Sequence, residues 1–217
     1  MREDNGLTGF FFSVDDFEYL LAFGLPEIIR RKKETHQNKI DVLDVGCSTG
    51  EATYSLTTVI LEALHLLGES EKKWEVDVLG IDKDSIRTSD SFRGYYKRSP
   101  RIGALLEGPL SKIRVEDYFE ERYDHWAEFK MGPACIVKQS LIERTHFRCE
   151  DIEVYTPDRD FDIIRCMAVL RYCNNPSKVL EKLYGNLNDG GLLIESDFSN
   201  LITERYKPVY RYVYKKL

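Results

Sequence analysis

The strongest chemical signal in the chain is the run Val45-Gly46-Cys47-Ser48-Thr49-Gly50-Glu51. Glycine lacks a Cβ, so Gly46 and Gly50 let the backbone approach a ligand closely or take a turn that other residues resist. The spacing is not GxGxxG, which leaves no separate case for a dinucleotide pyrophosphate. Gly-Cys-Ser-Thr-Gly followed by Glu51 instead suits a cofactor with an amino-acid tail; an ordinary strand-to-helix turn is the plainer alternative. Asp82 closes an apolar run, where its two acceptor oxygens suit a pair of ribose hydroxyls. Helix capping is the other use for such an aspartate, but Asp84-Ser85 stand ready for that task. Asp151 is placed to accept from an adenine exocyclic amine, although Cys149-Glu150-Asp151 reads equally as a solvated turn. His36, His65, His125 and His146 show no metal-ligand spacing, and no metal is expected.

These residues need elements to hold them. Lys39–Val45 reads as a strand, the stretch from about Ala52 to Leu67 as a helix, and Glu75–Ile81 as a second strand ending at Asp82. Strand, Gly-turn, helix, strand, acid is the first half of a parallel βαβ sheet, whose ligand crevice lies at the carboxyl ends of the strands. Before it, Leu7, Phe10, Phe11, Phe17, Leu20, Leu21 and Leu25 recur at helical spacing over residues 7–33, with Ser13-Val14-Asp15-Asp16 as a start. Arg30-Arg31-Lys32-Lys33 then reads as its charged C-terminal end, favourable to the helix dipole. Residues 83–120 read as mainly helical with breaks at Ser99-Pro100 and Gly108-Pro109. Residues 123–147 read as a small antiparallel insertion around Met131-Gly132-Pro133. The α/β rhythm resumes with strands at Thr145–Cys149 and Phe161–Cys166, a helix at Pro176–Leu187, a strand from Leu192 and an edge strand at Pro208–Tyr214.

At 217 residues the chain is long enough for one sizeable core, and a hydrophobic fraction of 42% is globular composition. The expectation is a single domain over 1–217, an α/β fold with a mostly parallel sheet flanked by helices. Net charge is −6, so the chain lacks the positive field that phosphate backbones select, and a nucleic-acid partner is not expected. Cys47, Cys135, Cys149, Cys166 and Cys173 are scattered without a CxxC pair, which suits free thiols in a reducing compartment. No apolar run approaches the roughly 20 residues of a membrane span, and Met1-Arg2-Glu3-Asp4-Asn5 opens with acidic and polar residues, so a cytoplasmic location without membrane insertion is expected.

Seven stretches, in order and at the right spacing, resemble the catalytic region of the chemotaxis-receptor glutamate methyltransferases, the CheR family. They are Leu7–Phe11, Ser48–Glu51 with Tyr54-Ser55, Gly80–Asp82, Arg93–Tyr95, Val137–Gln139 through Phe147, Phe161-Asp162 through Tyr172, and Asp189–Leu193. The resemblance implies a Rossmann-like class I fold using S-adenosylmethionine (SAM), with S-adenosylhomocysteine (SAH) as product, and a protein or peptide acceptor with exposed glutamates. It also implies roles. Gly46, Ser48, Thr49 and Gly50 would form the cofactor turn and Glu51 would contact the methionine part. Asp82 would hold the ribose, Asp151 with Ile152 the adenine, and Val169 would lie against the cofactor. Tyr172 falls on the family's active-site tyrosine, and 123–147 matches a β-subdomain that some members use to grip a receptor tail.

The departures bear on the acceptor more than on the cofactor. The family's Phe-Phe-Arg reads Phe10-Phe11-Phe12 here, and its Arg-Asn pair reads Met167-Ala168. The helical domain that usually precedes this region is not found ahead of it, so a catalytic region alone is expected. An arginine fork is the natural clamp for a carboxylate. Arg165 and Arg171 offer substitute charges, though such arginines more often face solvent or pair with nearby acids. Two readings follow: an active methyltransferase esterifying a carboxylate, or a catalytically silent SAM or SAH binding module that recognises a partner protein. A nucleotide-dependent oxidoreductase lacks the glycine spacing.

Overall fold

The structure is a computed structural model that describes residues 9–11, 13–97, 108–122, 134–197 and 205–217. Its centre is a seven-stranded sheet in the order β6-β2-β1-β7-β8-β10-β9. The strands are β1 (Lys39–Val45), β2 (Glu75–Asp82), β6 (Thr145–Cys149), β7 (Phe161–Cys166), β8 (Leu187–Glu195), β9 (Tyr206–Tyr210) and β10 (Val213–Lys216). The first five run parallel, and the hairpin β9–β10 joins β8 antiparallel. The expected edge strand at 208–214 is therefore a hairpin broken between Tyr210 and Val213, and β9 is the edge. β7 is buried at every residue, as a parallel strand covered on both faces must be.

Two apolar cores lie on opposite faces of this sheet. Ile40, Val42, Ile163 and Ile194 face α1 (Val14–Tyr19), α2 (Leu25–Glu34) and α3 (Glu51–Leu66), whereas Leu43, Val45, Ile164 and Leu193 face α5 (Pro176–Gly185). α4 (Ser85–Ser91) follows β2. α3 is buried almost throughout, and its hydroxyls find partners: Ser55 Oγ donates to Glu51 O (2.8 Å) and Thr58 Oγ1 to Tyr54 O (2.9 Å) within the helix, while Thr53 Oγ1 reaches Asp44 on β1 (2.7 Å). That satisfies polar groups which would otherwise be costly to bury. Chain entry is pinned on the same helix, because Phe11 N–H donates to Ser55 Oγ (2.9 Å).

The helix expected over 7–33 is helical from Val14, with Leu20–Gly24 as a π-turn between α1 and α2; residues 7 and 8 lie outside the described residues. Pro26 explains the π-turn: it has no N–H to give and its ring crowds the preceding turn. Lys32, read as part of the helix's charged C-terminal end, does lie in the last turn of α2, yet it is 7% exposed and its Nζ lies 2.9 Å from Asp162 Oδ1. α2 packs against α3 and turns this lysine over the start of β7, which the charge pattern alone does not reveal.

Within 83–120, expected mainly helical, the described residues form α4 and then β3 (Tyr95–Lys97), and a one-turn helix at Val115–Tyr118 leads into β4 (Phe119–Arg122); the expected break at Ser99-Pro100 lies outside the described residues. Gly94 at φ +57° ends the helical run and sends the chain to pair with β5 (Ala134–Val137). The resulting three-stranded sheet, β3-β5-β4, takes two strands from before residue 123, while Thr145–Phe147 belongs to the main sheet. The Met131-Gly132-Pro133 turn and the rest of 123–133 lie outside the described residues. Phe10 packs edge-on against Tyr96 and Phe119, each at 5.0 Å, joining the small sheet to the chain entry.

Candidate functional site

β1 has β2 on one side and β7 on the other, so the chain reverses its direction of travel across the sheet beside β1. Such a switch point leaves a crevice at the strands' carboxyl ends. Here the Gly46–Gly50 turn fills its rim. Gly46 N–H and Cys47 N–H both donate to Ile81 O (2.8 and 3.0 Å), tying the turn to β2. Gly46 has φ +73°, Ser48 +52° and Gly50 +90°. A Cβ at position 46 would lie 2.3 Å from Val169 Cγ2, and one at position 50 would lie 2.8 Å from Phe147 Cζ. Both conformation and space therefore require glycine at these two points.

Asp82 organises the next part of the rim. Its Oδ2 accepts from Ser48 N–H and its Oδ1 from Asp84 N–H, each at 2.9 Å. Asp84, as the sequence suggests, caps α4 by accepting from Ile86 N–H (3.0 Å) and Arg87 N–H (3.3 Å). Each Asp82 oxygen keeps a further lone pair for a hydroxyl.

A cavity of about 450 Å³ spans the carboxyl ends of β6, β2, β1 and β7. That size suits a small organic ligand. It brings together Gly46, Ser48, Asp82, Asp151, Ile152, Val169 and Tyr172 from segments far apart in sequence. Thr49, Gly50 and Glu51 are not on its wall. Thr49 Oγ1 donates to Glu51 Oε2 (2.6 Å), and Thr49 O accepts from the Tyr96 hydroxyl (2.6 Å), so this part of the turn faces α3 and the small sheet. Cys47 lines the cavity but is itself buried, and burial pushes its thiol well above the usual range.

The 151–155 loop closes one end. Asp151 Oδ1 accepts from Glu153 N–H (2.9 Å), and Lys182 Nζ on α5 donates to the carbonyls of Ile152 (2.7 Å), Glu153 (3.2 Å) and Tyr155 (2.7 Å). Burial lowers the pKa of Lys182. Glu153 accepts from Asn174 N–H (2.9 Å), Asn174 Nδ2 (2.8 Å) and Asn175 N–H (3.2 Å), which staples this loop to the one carrying Tyr172. Nothing in the sequence marks Lys182 or Glu153 for these tasks, because both act on backbone groups brought near only by folding.

At the other end Met167, Ala168 and Tyr172 line the cavity. Ala168 sits at φ +57°, and Tyr172 is 66% exposed at the mouth. The two candidate arginines separate clearly. Arg171 is held by Asp197, with its Nε 2.9 Å from Asp197 Oδ1 and its Nη2 on the same oxygen. Arg165 is paired with an acid rather than facing solvent: it is 5% exposed on the cavity wall, with Nη1 3.0 Å from Asp44 Oδ1. A charged residue inside the apolar run Phe161–Cys166 was the sequence signal for it. Among the described residues no group of three or more His, Cys, Asp or Glu side chains is placed to hold a metal ion, and no helix is long and apolar enough to cross a membrane.

Solved structures match the chain at low identity. The plantazolicin methyltransferase BpumL, solved with a triazolic desmethylPZN analog and SAH, is 14% identical over 82% of this chain and 46% of its own, with a TM-score of 0.39. The glycopeptide N-methyltransferase MtfA, solved with sinefungin, is 12% identical over 79% and 49%, with a TM-score of 0.40. An S-adenosylmethionine-dependent methyltransferase from Clostridium acetobutylicum is 16% identical over 84% and 55%, with a TM-score of 0.35. The chain thus spans about half the length of these proteins. No curated protein sequence matches it. A family model described as the CheR methyltransferase SAM-binding domain matches residues 6–202. With nearly the whole chain inside that match and a class I methyltransferase sheet beneath it, the protein belongs to the CheR methyltransferase family and carries its SAM-binding domain.

Proposed function

We propose that this chain is a SAM-dependent O-methyltransferase acting on a carboxylate, either a protein glutamate or a related acceptor. The observation that carries the reading is the one cavity shared by Gly46, Asp82, Asp151 and Tyr172, with the first half of the glycine turn on its wall and the exposed tyrosine at its mouth. When bound, SAM supplies an electrophilic methyl group on a sulfonium. An ionised carboxylate is already a nucleophile, so the protein's task is alignment and exclusion of water rather than strong base catalysis.

In this reading Asp82 takes the ribose hydroxyls with the lone pairs left over from Ser48 and Asp84. Asp151 and Ile152 receive the adenine on the loop clamped by Lys182. Val169 and Gly46, packed against each other, form the wall beside the sulfur. Ser48 lies on the same wall, whereas Thr49, Gly50 and Glu51 act from behind by fixing the turn. Tyr172 hydrogen-bonds the acceptor at the mouth. The whole chain serves as one domain, with the small sheet beside the entry as the surface for a protein or peptide acceptor. A cytoplasmic setting, and a place in chemotaxis, belong to the same proposal.

A second reading has an observation in its favour. The wall beside Tyr172 is Met167 and Ala168, which offer no side-chain hydrogen bond to an acceptor. A silent module that binds SAM or SAH and engages a partner would need none. Calorimetric titration with SAH followed by a methyl-transfer assay on acidic peptides and cell extract separates the two. Micromolar or tighter one-to-one binding with labelled ester product supports the enzyme; binding without product supports the silent module. Absence of binding removes both.

A further inference from the structure

Arg165 is a guanidinium held inside the molecule with part of its fork unused. It projects from β7 on the face occupied by α1 and α3, in register with Asp44 on β1. Asp44 takes only Nη1, at 3.0 Å, and its other oxygen is occupied by Thr53 Oγ1 at 2.7 Å. Arg165 Nε is buried without a hydrogen-bond partner, and the side chain lies on the cavity wall. Phe17 covers it from α1, with the guanidinium carbon 5.9 Å from the ring centroid. A buried donor with no acceptor is costly, and a guanidinium has five donors arranged to fit a carboxylate.

The order of strands places this group at a definite point. Asp151 and Ile152 follow β6, Asp82 ends β2, Gly46 follows β1, and Arg165 lies near the end of β7. Three strand spacings, roughly 14 Å in all, separate the two ends of the row. A ligand laid along the row with its adenine over β6 and its ribose at Asp82 carries its amino-acid tail past Gly46 toward β7. We propose that Arg165 is the carboxylate subsite for that tail, with Asp44 and Phe17 as the residues that orient it. The proposal rests on the cofactor layout given above.

The experiment compares two ligands on two proteins by calorimetry. SAH carries the amino-acid tail, and 5′-methylthioadenosine is the same nucleoside thioether without it. The unmodified protein is expected to prefer SAH at least tenfold. Arg165→Met is expected to bring that ratio close to one while leaving the affinity for methylthioadenosine unchanged. If Arg165→Met does not fold, Arg165→Lys, which keeps the charge and loses the fork, is expected to reduce the ratio severalfold. A ratio that survives the substitution overturns the proposal and leaves Arg165 to the acceptor's carboxylate. Equal loss of both ligands in a folded variant also overturns it, as a purely structural role predicts. An unmodified protein that binds neither ligand overturns the cofactor layout itself, and this result is distinguishable from the other two.

Discussion

A Cβ on residue 46 would fall 2.3 Å from Cγ2 of Val169, so the first glycine of the turn and a residue 123 positions later share one packing decision. Gly46→Ala is expected to destabilise the fold by about 2–4 kcal/mol, combining the left-handed backbone cost with overpacking. Adding Val169→Ala should recover the steric part and leave about 1–2 kcal/mol from the backbone alone. Urea denaturation of the single and double variants reads both numbers, and a double variant no better than Gly46→Ala would mean that the contact is not what excludes a side chain.

Asp82 joins the rim by accepting from Ser48 and Asp84 backbone N–H groups. Asp82→Ala is expected to weaken SAH binding by roughly 1–3 kcal/mol, the usual cost of losing hydrogen bonds to a charged group. Calorimetry measures this directly, and unchanged affinity would remove Asp82 from the site.

Ala168 holds φ +57° on the cavity wall. A non-glycine residue there costs roughly 1–2 kcal/mol, partly offset by the extra unfolded-state freedom of glycine. Ala168→Gly should therefore raise stability by up to about 1 kcal/mol, and Ala168→Asn should be tolerated because asparagine accepts the left-handed region. A lowered thermal midpoint for Ala168→Gly would contradict this account.

Lys32 and Asp162 form a buried ion pair at 2.9 Å, and Asp162 also accepts from Asp41 N–H (3.0 Å) and Asn188 Nδ2 (3.0 Å). Removing the lysine leaves a buried carboxylate without its counter-charge, which costs roughly 3–5 kcal/mol. Lys32→Met is expected to show that loss, whereas Lys33→Met, on the exposed neighbour paired with Glu69, should stay within about 0.5 kcal/mol. Similar chemical-denaturation midpoints for the two variants would place Lys32 at the surface after all.

Asp16 is 1% exposed, and burial raises its pKa above the ordinary carboxylate value against the opposing influence of Ser13 and Arg165. Between the unfolded and the raised folded pKa the folded state binds more protons, so stability falls as pH rises through that interval. Asp16→Asn removes this term. Its stability relative to the unmodified protein should grow from about pH 4 upward and then level off above the folded value. A difference that does not change with pH would show that Asp16 ionises normally.

The half-unit Lys39 to Asp82 was legible in the sequence because every signal in it is local. An apolar run, a glycine pair, a buried helix and a terminal acid each report on their own few residues, and Asp84 declares itself the cap of the next helix, leaving Asp82 for the rim. The family was legible for a related reason: its motifs are ordered short stretches, and order along the chain survives without knowledge of contacts. Local signals misled where a helical pattern over 83–120 hid β3 and β4, whose pairing is with β5 inside the insertion.

What only the tertiary structure decided are the partnerships across the chain. The sequence offered Arg165 a nearby acid and put Lys32 in the last turn of a helix, but only the fold shows that each is buried and that its partner is Asp44 or Asp162, from another element. Lys182 on α5 and Glu153 within the 151–155 loop likewise bind groups that only folding brings near. Burial of a charge depends on a counter-charge and on covering layers, and neither is written in the few residues on either side. Thus the sequence by itself determined the family, the cofactor and the central turn, while the third dimension decided which charges face the cavity and which stay engaged elsewhere.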